Sequence, residues 1–187
     1  QRVEVYSPDA QIMVQTESGL VEAPRSTLLH FRALSADDRT RFAFSMASDG
    51  STVDGMVLSN GGRFSLRSVR KNGGLELVAE RRPTTTPEGE PIYFACENDN
   101  FGMDDVRLPA RKVIDRHFEE KAVLGGLRTA VIAYETDTEL FATPRFATGN
   151  AVTNVTNYLA TLTNLMTVVY ERDLDVTLQQ GTTLLRN

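Results

Sequence analysis

The chain of 187 residues is 41% hydrophobic and 24% charged, a balance that supports a buried core and fits an ordinary globular protein. Its formal net charge of −5 argues against a nucleic-acid partner, and no apolar run approaches the ~18 residues that suggest a membrane span. A single cysteine excludes an internal disulfide, and the opening at Gln1 without a basic-then-apolar leader leads us to expect a processed or partial product.

Residues 11–15, 27–32, 41–46, 52–58, 63–69 and 75–79 alternate apolar and polar side chains, the pattern of strands with one face on a core. Turn signals separate the later runs: Ser48-Asp49-Gly50, Ser59-Asn60-Gly61-Gly62 and Lys71-Asn72-Gly73-Gly74. Asn-Gly supplies the positive-φ residues that tight hairpins need, so an antiparallel meander, sandwich or partial barrel is expected. Arg63, Arg67, Arg70 and Lys71 form a basic stretch that reads as a solvated strand face or, less favourably, a polyanion site.

Residues 81–91 are rich in proline and threonine and read as a linker or exposed loop. A short apolar run, 92–96, leads into an acidic loop at 97–105. Residues 110–124 carry an amphipathic helical stripe closed by Gly125-Gly126. The apolar run 127–134 predicts a strand, and 136–150, with Pro144 and Gly149, a loop. Val152, Val155, Leu159, Leu162, Leu165 and Val169 recur at helical steps, predicting a helix over 151–172. A strand over 174–179 completes a βαβ pattern with a parallel pair. The expected fold class is therefore α+β. An antiparallel β-rich domain at 1–105 and a linker and helix at 106–126 precede a strand-helix-strand unit at 127–187. That unit reads as the start of a truncated α/β domain, leaving strand 174–179 as an apolar-bearing edge in need of a partner chain.

The block Tyr170-Glu171-Arg172-Asp173-Leu174, closing a long helix and feeding directly into a strand, resembles the first helix and second strand of reprolysin-like secreted zinc metallopeptidases of bacterial type. Tyr134-Glu135-Thr136-Asp137 is similar to the end of that family's first strand, and the hairpin-rich first half is similar in general pattern to its propeptides. The resemblance implies a propeptide joined to the beginning of a catalytic domain, secreted, with zinc bound in the full-length enzyme by an HExxH-type helix further downstream. Residues 1–187 contain only His30 and His117, so a three-histidine zinc site cannot be built from them; no catalytic residue and no bound cofactor is assigned to this chain.

Propeptides of this class often hold the enzyme latent through a cysteine thiolate that fills the zinc position of the catalytic water. The resemblance makes Cys96 the candidate ligand, with Glu97 standing where the family has glycine. Read from the residue alone, Cys96 is a small apolar group ending strand 92–96; both readings stand. His117-Phe118-Glu119-Glu120 lacks the second histidine of a metal helix. Asp99, Asp104 and Asp105 match no calcium-loop spacing. The sequon Asn154-Val155-Thr156 falls on the predicted helix. Two function classes follow: a propeptide plus leading catalytic segment that keeps a zinc endopeptidase latent and assists its folding, or a non-enzymatic secreted adhesion or self-assembling subunit. The expected partner is the remainder of the peptidase domain or a neighbouring copy of the chain.

Overall fold

The computed structural model describes residues 1–37, 39–59, 62–71, 74–81 and 127–186. Alternation in the first half produces a meander. Strands β4 (Leu29–Leu34), β5 (Arg41–Met46), β6 (Val53–Ser59), β7 (Gly62–Lys71) and β8 (Gly74–Arg81) pair antiparallel in sequence order, and β1 (Arg2–Val3) joins the free side of β4. This six-stranded sheet, sheet A, carries Arg32, Ala43, Met56 and Leu58 on one face and Phe31, Phe42, Phe44 and Val57 on the other, as the two-residue period demands. Phe31 and Phe44 stack at 5.0 Å. Gly55 lies opposite Phe44, where a Cβ would come within 2.5 Å of the Phe44 Cβ.

The second half gives the strand-helix-strand unit read from the sequence. Strand β9 (Arg128–Glu135) and strand β10 (Val176–Arg186) run parallel on either side of helix α2 (Ala151–Leu174) in sequence. Asn150 caps α2 by accepting from the Thr153 N–H, and Asp175 ends it in the left-handed region at φ 56°. The stretch expected as a loop, 136–150, holds a one-turn helix α1 (Thr138–Ala142), capped by the Asp137 side chain and anchored by buried Phe141.

Two expectations are corrected. Strand 174–179 is not an edge. Leu174 ends α2 and Asp175 caps it, and from Val176 the chain forms an eleven-residue strand that runs to Arg186 in the interior of a four-stranded sheet, sheet B, of order β3-β2-β10-β9. Strand β2 (Ile12–Thr16) lies parallel to the end of β10, and its hairpin partner β3 (Gly19–Ala23) forms the edge. Upstream of β2, Gln180 donates its N–H to Val5 O at 2.7 Å and accepts from Ser7 N at 2.9 Å. The β10 edge is thus closed from within the chain. For the same reason, the described part of 1–81 does not separate from 127–186. The two share sheet B and cluster as one compact unit.

Helix α2 lies between the sheets. Toward sheet B it packs Val155, Leu159 and Ala160 with Tyr6, Ile12, Val14, Phe141 and Leu185. Toward sheet A the cluster is smaller: Val168, Leu165 and Val169 against Ala43, Met56 and Leu58. The many threonines of α2 fit this sandwiched position. Thr163 and Thr167, both fully buried, return their hydroxyls to Leu159 O and Thr163 O four residues back. Thr163 also bonds the Tyr134 hydroxyl at 2.9 Å, and Thr167 donates to Leu178 O at 3.2 Å, so each hydroxyl ties the helix to sheet B.

Candidate functional site

Alternation on β4 turns His30 and Arg32 toward the helix side of sheet A, and burial then dictates how each is satisfied. Arg32 is 9% exposed. Its Nε donates to Asn164 Oδ1 at 2.9 Å and its Nη1 to Glu171 Oε1 at 3.1 Å, while Nη2 is buried and makes no hydrogen bond. Asn164, fully buried in mid-helix, uses its amide nitrogen to donate to Phe44 O at 3.0 Å. Glu171 Oε1 also accepts from Thr177 Oγ1 at 2.8 Å. One guanidinium therefore joins β4, β5, α2 and the start of β10. Burial holds its pKa below the ordinary arginine value against the opposing pull of the Glu171 carboxylate.

Beside this cluster opens a pocket of about 470 Å³ lined in part by Arg32, Leu34, Arg41, Phe42, Val168 and Glu171. It carries charges of both signs on an apolar wall. Its carboxylate is already engaged twice, and none of the residues named carries a nucleophilic hydroxyl or thiol. His30 and Ser45 form a closer approach to catalytic chemistry, with Nδ1 2.7 Å from Oγ. Yet His30 is 4% and Ser45 2% exposed, no carboxylate bonds the imidazole, and Nε2 is buried without a partner. A nucleophile that no substrate can touch is a structural pair. Burial, then the Arg32 and Arg2 charges, push the His30 pKa down to about 4, so the ring is neutral near pH 7.

The sequence candidates distribute unevenly. Cys96, the candidate zinc ligand, lies outside the described residues, as do strand 92–96, the predicted helix at 110–124 and His117. Among the described residues, no group of three or more His, Cys, Asp or Glu could hold a metal ion, and no helix is long and apolar enough to cross a membrane. The basic stretch of β7 is partly matched by its neighbour: Arg67 pairs with Glu80, and Lys71 with Glu76 at 3.4 Å. In the Tyr170–Asp173 block, Arg172 makes the local ion pair with Asp173, whereas Glu171 reaches across to Arg32. Asn154 donates from its side chain to Phe146 O and Thr148 O, shaping the turn before α2. The Arg32–Asn164–Glu171 cluster escaped sequence reading. Two basic side chains, His30 and Arg32, at alternate positions of a strand otherwise rich in Leu and Phe were its one local sign.

No family model, curated protein or solved structure matches this chain.

Proposed function

We propose that this chain is the propeptide and leading catalytic segment of a secreted zinc endopeptidase, with the propeptide assisting folding and maintaining latency. The observation that carries the reading is the β9–α2–β10 crossover. A parallel pair is joined by a long helix whose last turn is Tyr170-Glu171-Arg172-Asp173, and the chain passes within two residues into β10. Among the described residues strand β9 has a neighbour on one side, and Val131 on it is 59% exposed, which fits a catalytic sheet that continues beyond β9. Strand β2 on the far side of β10 fits a propeptide that templates the sheet by lending it a strand.

The described residues do not fit a zinc site, so no step through the metal is assigned to them. The open β9 edge also suits the second reading, an assembly subunit that adds a strand from a neighbouring copy. One experiment separates them. The open reading frame is followed past Asn187, and its full product is purified and assayed on casein with and without a chelator. A downstream HExxH helix and chelator-sensitive hydrolysis that rises when residues 1–126 are removed by proteolysis are expected. A frame without that helix, together with concentration-dependent association in sedimentation, would favour the assembly subunit.

A further inference from the structure

We propose that the layer between α2 and sheet A is an acid-operated latch whose trigger is His30. The trigger sits on the helix-facing side of β4, two residues from Arg32, the residue that binds Asn164 and Glu171 of α2. The charged groups around the ring are mostly of the wrong sign to receive a proton there. Strand β1 contributes Arg2, and β4 contributes Arg32. Strand β5 offers the Ser45 hydroxyl, with Arg41 four residues away on the same face. On β6 the register neighbour of Ser45 is Asp54, whose carboxylate is turned to Arg145 at 3.3 Å. From α2, Glu171 is held by Arg32 and Thr177 and does not figure among the charges that act on the ring.

A proton on His30 turns both ring nitrogens into donors. Nδ1 retains Ser45 Oγ, but Nε2 is buried with no acceptor. The new cation then stands in the interior beside two guanidiniums. Relief comes from expelling the ring, and that movement of β4 loosens the bonds by which Arg32, two residues on, fastens it to Asn164 and Glu171 of α2. Among the described residues, the opposite side of the helix holds no histidine. Burial pushes the hydroxyls of Tyr6 and Tyr134 further above their ordinary value of 10, so they stay neutral throughout the acid range. Acid should open one side of α2 and leave the other closed.

The sign follows from linkage. The folded-state pKa of about 4 lies below the ordinary 6.5, so His30 imposes no cost above pH 6.5. Below it, the unfolded or opened chain binds the proton first. The folding equilibrium then weakens by about tenfold per pH unit from this group alone until pH 4 is reached. This inference does not depend on the peptidase reading, because the latch lies wholly within the described residues.

The test uses the intact chain. Imidazole proton resonances are followed from pH 7.5 to 4, with His117→Gln assigning the two histidines. Methyl NOEs are recorded from Met56 to Leu165 and Val169, and from Leu159 to Leu185. His30 titrating near pH 4 is expected, with loss of the Met56 NOEs on acidification and persistence of the Leu159–Leu185 NOE. In denaturant titrations, His30→Gln should flatten the pH dependence between 6.5 and 4. Should that variant not fold, the wild-type titration and NOEs decide alone. A His30 that titrates near 6.5 in the folded chain, or Met56 NOEs that survive at pH 4, would overturn the latch.

Discussion

The two sides of α2 are built differently. Toward sheet B the helix presents Val155, Leu159 and Ala160 to a cluster drawn from the N-terminal segment, α1 and β10. Toward sheet A it presents a small apolar patch beside a buried guanidinium, an amide and a half-buried carboxylate. Apolar area gains free energy without regard to direction, whereas a buried ion pair offsets most of its attraction with desolvation. The sheet B side therefore supplies adhesion, and the sheet A side supplies geometry: a register between β4 and α2 that few other arrangements can satisfy.

Substitutions can break this contrast, and urea unfolding followed by circular dichroism measures each one. Leu185→Ala, on the fully buried sheet B side, should cost about 4 kcal/mol, as emptied leucine sites do. Arg32→Ala should cost about 3 kcal/mol, because it leaves the buried Asn164 Oδ1 without its donor and the half-buried Glu171 carboxylate without its cation. The sharper experiment replaces the network as a whole. Arg32→Met with Asn164→Leu and Glu171→Leu should recover most of that loss, within about 1 kcal/mol of wild type, if the layer confers register rather than stability. A triple variant as unstable as Arg32→Ala would place adhesion there too. Thr163→Val should cost only about 1 kcal/mol, the worth of a hydrogen bond in a position that keeps its shape. Smallest is Arg145→Ala at an exposed ion pair with Asp54, expected at about 0.5 kcal/mol or less.

Local pattern made sheet A and the βαβ unit legible. Alternation marked β4 to β8, and three- and four-residue steps marked α2 across nearly its full length. What escaped notice has physical reasons. Strand β3 is exposed along most of its length, so Gly19, Leu20 and Val21 show no alternation. Helix α1 is a single turn, too short for a period. The far half of β10 is buried through Gln180 and Thr183, polar residues satisfied partly by each other, so the apolar alternation that marked 174–179 does not carry through them. At Gly181 the strand passes so close to β9 that a Cβ would lie 2.6 Å from the Val131 methyl, and the ladder shifts register there. The pairing of β2 with β10 and the bond from Arg32 to Glu171, 139 residues apart, join distant parts of the chain and leave no local trace. Of the candidate site, the buried cluster at Arg32 was not legible in the sequence, and Cys96, the residue singled out there, lies outside the described residues.

Strand β10 is the piece on which both sides of the account converge, because residues 5–16 close an edge that the sequence alone left open. Native-state hydrogen exchange on the intact chain at neutral pH tests this directly. The Gln180 and Thr183 amides, bonded to Val5 O and Gln11 O, should exchange only through global unfolding and be as slow as any in α2. Exchange of these two amides at the rate of the exposed β3 edge would contradict the closure and return β10 to an open strand that needs another polypeptide.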